Sequence, residues 1–162
     1  MSTLRSPSVG VIEDDPAKGI VKYAKPAGVI ASIVPMTNPE LTPPCTAIYA
    51  IKARDAVIFS PHPRTRRTTN EVVRILREVL EREEVPADVF QCVEEPTIPL
   101  AQELMARCDV TLATGGAAMM RRTGSDQRRK RSAIQLRSAG MSQPASAISW
   151  PTMATMLIWR PP

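Results

Sequence analysis

Two short apolar segments, Val29–Val34 and Ala56–Phe59, constrain the fold of this chain more than any other feature. Both segments are rich in β-branched residues and lack polar alternation, which is typical of strands covered on both faces in a parallel sheet. The segment Pro43–Ala53 between them carries helix formers and no glycine, so a helix is predicted there. In open parallel sheets, ligands bind beyond the carboxyl ends of the strands. We therefore expect a site in the loops that follow the two strands.

The rest of the chain repeats this alternation of strand and helix. An opening hairpin is predicted from two extended segments, Val9–Ile12 and Gly19–Ala24, joined by acidic and proline turn residues. A long helix is predicted over Thr69–Glu84, with Thr68 and Glu71 as a capping box. The further predicted elements are the strand Asp88–Val93, the helix Pro96–Cys108, the strand Asp109–Thr114 and a helix opened by Gly115-Gly116. This order predicts an α/β fold with a doubly wound parallel sheet and right-handed crossovers.

Length and composition exclude several classes of protein. The 162 residues, 43% hydrophobic and 23% charged, predict one globular domain of average size. No apolar run is long enough to cross a bilayer, and the N-terminus lacks the apolar core of a signal peptide, so we expect a cytoplasmic protein without a membrane partner. Three widely spaced cysteines and one histidine indicate neither a disulfide framework nor a metal site.

The whole basic excess of the chain lies in its tail, from Arg121 onward. Residues 121–162 hold eight basic residues and one acid, whereas residues 1–120 hold 13 basic and 15 acidic residues. Three interpretations of this irregular segment stay open: a disordered tail, a nucleic-acid-binding arm, or a segment not selected to pack here. The nucleic-acid arm is the least favoured, because the run Arg128–Arg131 has no aromatic residue nearby on which bases could stack.

Three connecting turns carry candidate site residues. Asn38 follows the first core strand, and its amide could donate to a developing oxyanion, although turn geometry is the favoured explanation of an asparagine there. His62 lies between two prolines with three arginines behind it, in a stiff loop that could contact a ribose or phosphate; a surface histidine is the alternative. Thr114-Gly115-Gly116 joins a strand to a predicted helix, where free backbone N–H groups suit a phosphate, but a glycine pair alone is a weak signal.

The cysteines are weak candidates for a nucleophile. Cys45 is predicted near a helix N-terminus, which lowers the pKa of a thiol. Cys92 falls inside an apolar strand and Cys108 on an apolar helix face, so packing explains both better. We expect none of the three to be catalytic.

Three segments in order, GVIASIVPMTNP, KARDAVIFSPHPR and LATGGAAM, resemble the CoA-acylating branch of the aldehyde dehydrogenase superfamily. The opening segment VGVIEDDPAKGIVKYAKP is similar too, so the resemblance covers residues 8–120. It implies an oxidoreductase with a Rossmann-like NAD(P)-binding domain, which oxidises an aldehyde through a cysteine thioester. NAD or NADP would accept the hydride, CoA would accept the acyl group, and the intact enzyme would be a homo-oligomer.

The resemblance also implies a role for each turn. Asn38 matches the asparagine that helps to polarise the substrate carbonyl. The cofactor-binding matches are Ser60, Pro61 and His62 beside the adenosine, and Thr114, Gly115 and Gly116 beside the phosphates and nicotinamide. No metal is implied.

The chain is expected to depart from the family at three points, the first being a long helical segment that the family has before the entry strands. The family's catalytic cysteine lies downstream of the Thr-Gly-Gly turn, where none of the three cysteines stands. After Met120 the family continues with a Gly-rich sequence, whereas this chain turns Arg-rich. We therefore expect a partial cofactor-binding domain over 8–120, followed by a disordered or frame-shifted basic tail over 121–162. A chain of this kind is expected to be inactive alone; the alternatives are a non-catalytic nucleotide-binding module and a nucleic-acid-binding protein acting through its tail.

Overall fold

The chain begins with a separate antiparallel hairpin. The structure, a computed structural model, describes residues 7–115 and 133–137. Strands β1 (Gly10–Asp15) and β2 (Ile20–Ala24) form a two-stranded sheet of their own, which confirms the predicted hairpin. Strand β1 runs three residues past its predicted end at Ile12, because the acidic residues pair with β2 instead of forming the turn. An ion pair of 2.6 Å between Lys22 and Glu13 links the two strands.

The main sheet is parallel, with the strand order β5-β4-β3-β6-β7 among the described residues. Its strands are β3 (Val29–Ile33), β4 (Ala56–Ser60), β5 (Phe90–Cys92), β6 (Val110–Gly115) and β7 (Ala133–Arg137). Strand β3 is central: Ile30 lies opposite Val57 of β4 on one side and Val110 of β6 on the other. The two apolar segments that dominate the sequence are therefore neighbours in the middle of the sheet, as their composition predicts.

Helices cover both faces of the sheet, which confirms the predicted doubly wound α/β arrangement. They are α1 (Thr42–Ala53), α2 (Arg66–Arg82) and α3 (Ile98–Arg107). Helices α1 and α2 share one core with β3, β4 and β5, in which Phe59 meets Phe90 edge-on with ring centroids 6.2 Å apart. On the opposite face, Met105 of α3 packs against Ile33 and Ala113. No helix in the described part of the chain is long and apolar enough to span a membrane.

Two aspartates hold the start of β3. The carboxylate of Asp55, just before β4, accepts hydrogen bonds from the backbone N–H groups of Ala27 and Gly28, at 2.6 and 2.8 Å. The carboxylate of Asp109, just before β6, accepts from the N–H of Val29 at 3.0 Å. These contacts join the amino-terminal ends of all three central strands. They anchor the sheet at the end opposite to the edge where its strands finish.

Three predicted features require correction. Helix α2 begins at Arg66, not Thr69, because a 3-10 turn at Pro63–Thr65 leads directly into it. Thr68 is therefore an interior residue of the first turn and not a cap, and the carboxylate of Glu71 instead accepts from Nε of Arg74 at 2.9 Å. The segment predicted as one strand over 88–93 begins as a 3-10 turn, and only Phe90–Cys92 pairs with β4.

The tail contributes one element that the sequence did not predict. Strand β7 pairs in parallel with β6, from Ala133 opposite Thr111 to Arg137 opposite Gly115. The helix predicted after Gly116 and the rest of the predicted irregular tail lie outside the described residues.

Candidate functional site

The central strands finish together at one edge of the sheet, called here the carboxyl edge. Ile33, at the end of β3, lies opposite Ser60 of β4 and Ala113 of β6. The backbone N–H of Val34 then donates to the carbonyl of Ser60 at 2.9 Å, which ties the two following turns together. The turns containing Asn38 and His62 and the end of β6 therefore all belong to the carboxyl edge. This is the arrangement in which open parallel sheets bind ligands.

Asn38 lies in the exposed loop between β3 and α1. Its backbone carbonyl accepts from the N–H of Thr42 at 3.1 Å and so leads the chain into the helix. The loop is also tied to α2, since the hydroxyl of Thr69 donates to the carbonyl of Pro39 at 3.4 Å. Among the described residues, no hydrogen bond engages the Asn38 side chain, so its amide can donate to a ligand. The backbone of Asn38 thus serves the turn, and its side-chain amide has no hydrogen bond within the described residues that would compete with a ligand.

The turn after β4 is stiff and half-buried. Ser60 and Pro61 are buried, and His62 is partly exposed. The ring of His62 accepts at Nδ1 a hydrogen bond of 3.2 Å from the N–H of Arg64, and its carbonyl accepts from the N–H of Thr65 at 2.9 Å. In a neutral imidazole with Nδ1 as acceptor, Nε2 carries the proton. His62 can therefore offer one N–H donor at the carboxyl edge.

Thr114 and Gly115 are the last two residues of β6. Their backbones lie one and two positions beyond Ala113, which shares a row with Ile33 and Ser60. The structure thus brings Thr114 and Gly115 to the same edge as the other candidate residues. Gly116, the remaining member of the predicted turn, lies outside the described residues.

Two of the three cysteines are buried or partly buried, and the third is exposed. Cys92, at the end of β5, lies with its Sγ 2.7 Å from Oδ1 of Asn70. Burial, assisted by the neighbouring charge of Glu94, raises the pKa of Cys92 to about 12, so this thiol stays protonated and is a poor nucleophile. Cys108 is buried beside α3, and Cys45 is exposed in the first turn of α1. No cluster of metal-binding side chains occurs within residues 7–115.

The sequence did not predict that one of the three arginines after His62 forms an ion pair. Arg66 forms an ion pair of 3.4 Å with Glu95, in the loop that follows β5. Arg64 and Arg67 are exposed, and neither forms an ion pair within the described residues. The available signal was the pair Glu94-Glu95, which comes directly after a predicted strand and therefore at the same edge of a parallel sheet.

Comparison with known proteins places this architecture in a family. The sequence profile of the aldehyde dehydrogenase family matches residues 3–143. A sulfoacetaldehyde dehydrogenase from an Acholeplasma species is 46% identical over 114 residues, which are 70% of this chain and 24% of the relative. The chain thus spans about a quarter of the length of this curated relative.

Solved structures give the same assignment. The crystal structure of an acetylating aldehyde dehydrogenase from Geobacillus thermoglucosidasius is 38% identical with a TM-score of 0.73, covering 79% of this chain and 28% of that one. An engineered glycolyl-CoA reductase with bound NADP+ is 33% identical with a TM-score of 0.65, covering 70% of this chain and 25% of that one.

Proposed function

Because this chain belongs to the aldehyde dehydrogenase family, we propose that it forms part of an oxidoreductase that converts an aldehyde and CoA into an acyl-CoA, with NAD or NADP as electron acceptor. The relatives named above act on sulfoacetaldehyde, are acetylating, or carry a CoA substrate in their name, which supports the acylating reaction. The observation that carries the proposal is the convergence of three turns at the carboxyl edge of one parallel sheet.

The carboxyl edge fits a dinucleotide in its chemistry. Ser60, Pro61 and His62 would hold the adenosine end: the two buried residues fix the turn, and the partly exposed His62 offers its Nε2–H to a ribose hydroxyl. Thr114 and Gly115 would approach the phosphates, because a glycine at a strand end allows close contact of backbone and ligand. When bound, the nicotinamide supplies the hydride acceptor for aldehyde oxidation.

Asn38 would act on the substrate. The Asn38 amide, on a loop held by Thr42 and Thr69, can donate to the aldehyde oxygen as negative charge develops there. A donor aimed at such an oxygen stabilises the transition state more than the ground state, typically by about 3–4 kcal/mol in comparable sites. Because the loop is fixed at both ends, little reorganisation would accompany the reaction.

In our proposal, this chain does not supply the nucleophile. Cys45, Cys92 and Cys108 all precede Thr114, whereas the resemblance places the catalytic cysteine after the Thr-Gly-Gly turn. Cys92 is also held in its protonated form. We therefore expect that the chain binds a nicotinamide cofactor but does not by itself turn over an aldehyde.

Calorimetric titration of the full chain with NAD+ and NADP+ tests the proposal. We expect saturable binding of at least one of them, weakened in His62→Ala and unchanged in Asn38→Ala, since only His62 is assigned to the cofactor. Absence of binding by both dinucleotides would overturn the proposed function.

A kinetic assay tests the second part of the proposal. The chain is incubated with acetaldehyde or sulfoacetaldehyde, CoA and each dinucleotide, and formation of the reduced cofactor is followed by absorbance. We expect none. Turnover that is lost when Cys45 is replaced by serine would show that this exposed thiol is the nucleophile, and the inactivity of the chain would then be refuted.

A further inference from the structure

We propose that an open apolar groove between α1 and α2 is the docking site of an apolar segment of this same chain, Met153–Trp159. The groove lies on the face of the sheet that α1 and α2 cover. It is separate from the loops of the carboxyl edge that form the candidate cofactor site. Four apolar side chains line the groove: Ile48, Ile51, Ile75 and Val79.

On α2, one flank of the helix faces β5 and the other faces α1. Asn70 follows the buried Thr69 by one position, and its side chain contacts Sγ of Cys92 in β5. Ile75 and Val79 lie about 140° and 180° around the helix axis from Asn70. They are therefore on the flank away from β5. Since α1 precedes α2 in the right-handed progression across β3, β4 and β5, this flank faces α1.

On α1, the corresponding side chains face α2. The two helices run in the same direction, because each connects successive parallel strands on one face of the sheet. On α2, the residue that follows a buried position faces onward across the sheet, as Asn70 does. Ile48 and Ile51 each follow a buried alanine and therefore face onward from α1 towards α2.

The side chains on the two facing flanks are not covered. Ile48, Ile51, Ile75 and Val79 are between 41% and 51% exposed. Packed helices normally bury the apolar side chains between them. The two helices share the core beneath the groove, but the outer part of their interface is open among the described residues. An apolar segment laid along it would remove all four side chains from water.

The composition of the chain beyond β7 favours one occupant. Five of the seven residues in Met153–Trp159 carry large apolar side chains. Neither residues 1–6 nor residues 116–132 hold a comparable run. The groove and this segment are therefore the matching apolar parts of one chain.

The length of the connecting chain allows the segment to reach the groove. Strand β7 ends at Arg137, and residues 138–152 separate it from Met153. An extended stretch of that length spans up to about 50 Å. A folded domain of about 100 residues has a radius of gyration of only about 13 Å. The segment can therefore cross from β7 to α1 and α2 without strain in the connection.

Charge complementarity supports the same occupant. The backbone N–H of Glu83 donates to the carbonyl of Val79 at 3.2 Å, so the acidic end of α2 adjoins the groove. Glu83 and Glu84 are exposed and form no ion pair within the part of the chain that the structure describes. Arg160 directly follows the apolar segment and is the one charged side chain in residues 138–162. Docking would bring this arginine to the two carboxylates.

Fluorescence quenching by acrylamide tests the proposal in the full chain. Both tryptophans, Trp150 and Trp159, lie in the tail, so Trp150→Phe leaves Trp159 as the one reporter. We expect acrylamide to quench Trp159 about tenfold less efficiently than in the urea-unfolded chain, as an undocked state populated to about a tenth would give. The quenching should not change when the protein is diluted about tenfold, because docking within one chain does not follow mass action.

Two variants on the Trp150→Phe background should release the segment. Ile75→Lys places a charge in the groove, and the lysine follows Glu71 by four positions, a spacing that favours the helix. Leu157→Asp places a charge in the segment and leaves the described residues unchanged. In both variants, the quenching of Trp159 should rise to the level of the unfolded chain, with the far-ultraviolet circular dichroism of the folded chain retained.

Ile98→Lys is the matched control. Ile98 is 67% exposed and begins α3, on the opposite face of the sheet. The same substitution there removes an exposed apolar side chain outside the groove, so the quenching of Trp159 should change less than about twofold.

Three outcomes would overturn the proposal. Quenching of Trp159 as efficient as in the unfolded chain would show that the segment is not docked. An equal rise in Ile98→Lys and Ile75→Lys would show that the groove has no special part in covering it. Protection that is lost on dilution would show that the segment binds a second copy of the chain instead of its own groove.

Discussion

The hydroxyl of Ser32 lies in the centre of β3, fully buried and without a hydrogen-bond partner among the residues that the structure describes. Its neighbours in register are Phe59 of β4 and Leu112 of β6, so the hydroxyl is enclosed by apolar groups. A buried polar group without a partner loses its hydration and gains nothing in return. The buried hydroxyl of Ser32 therefore lowers the stability of the fold.

Replacement of Ser32 by alanine should stabilise the protein. We expect the free energy of unfolding to rise by about 1 kcal/mol, because the desolvation cost of the hydroxyl is removed. Urea denaturation measures the change. The control is Thr69→Val, which removes a buried hydroxyl that does have a partner, the carbonyl of Pro39 at 3.4 Å. That variant should lose about 1 kcal/mol. A loss of stability in Ser32→Ala would show that this hydroxyl is satisfied.

Asp55 is buried like Ser32, but its carboxylate accepts two hydrogen bonds. Only 3% of the residue is exposed, and its carboxylate accepts from the N–H groups of Ala27 and Gly28. Burial raises the pKa of Asp55, against the opposing effect of these two donors. The nearby negative charge of Asp109 raises it further.

The shift in Asp55 predicts a stability that depends on pH in a definite direction. Because the pKa is higher in the folded state than in the unfolded state, the folded protein binds the proton more tightly. Asp55 therefore lowers the free energy of unfolding as the pH rises from the unfolded pKa through the folded pKa. In Asp55→Asn that decline should disappear, since the amide oxygen still accepts both N–H groups without a charge.

Urea denaturation at a series of pH values, from mildly acidic to neutral, checks this expectation. Asp55→Ala is the control, because it leaves two N–H groups without a partner and should cost about 2–4 kcal/mol at every pH. An equally steep decline with pH in Asp55→Asn would show that another group causes it.

At the scale of elements, the start of β3 is the most constrained point of the backbone. Gly28 has a φ of +115°, a conformation that side chains rarely allow, and a Cβ there would lie 2.3 Å from Oδ2 of Asp109. That same oxygen accepts from the N–H of Val29. A side chain at position 28 would therefore both strain the backbone and displace the contact that links β3 to β6.

Gly28→Ala should destabilise the protein by roughly 3 kcal/mol or more, which combines backbone strain with the lost contact of Asp109. The matched control is Gly19→Ala in the hairpin turn. Gly19 also has a positive φ, +65°, but a Cβ there would have no atom within 4 Å. It should cost only about 1 kcal/mol. Equal losses in the two variants, measured in urea, would contradict the role given to Asp109.

At the scale of the whole molecule, the hairpin is more exposed to solvent than the parallel sheet. The hairpin is a two-stranded sheet of its own, and several of its apolar side chains are about half exposed: Val11, Ile20, Val21 and Tyr23. Isolated two-stranded hairpins are marginally stable in water. In contrast, β3 lies between two paired strands and under helices on both faces.

Hydrogen exchange followed by mass spectrometry should resolve this difference. Peptides covering β1 and β2 should exchange at least about tenfold faster than peptides covering β3 and β4, because the hairpin can open without unfolding the sheet. The loop at residues 94–97, whose backbone N–H groups donate no hydrogen bond within the described residues, provides a reference for unprotected amides in the same experiment. Equal protection of hairpin and sheet would mean that the two open only together.

Local patterns in the sequence were enough to predict most elements and the edge at which the candidate site lies. The apolar segments of β3 and β4 indicate buried parallel strands from composition alone, and the carboxyl ends of parallel strands always share an edge. The turns containing Asn38 and His62 could therefore be placed together before any coordinates. The start of α2 was predicted wrongly, since Thr68 and Glu71 match a capping box locally but a preceding 3-10 turn had already begun the helix.

The sequence by itself thus determined the order of strands and helices up to β6, the apolar character of the central strands and the candidate turns, because these depend on residues close together in the chain. Only the tertiary structure decided which distant residues meet: Asp55 and Asp109 around Gly28, Cys92 with Asn70, and Arg66 with Glu95. The physical reason is that an isolated carboxylate or thiol has no preferred partner along the sequence. Its partner, and with it its pKa, is set by strand register and helix packing across 20 to 80 residues of separation.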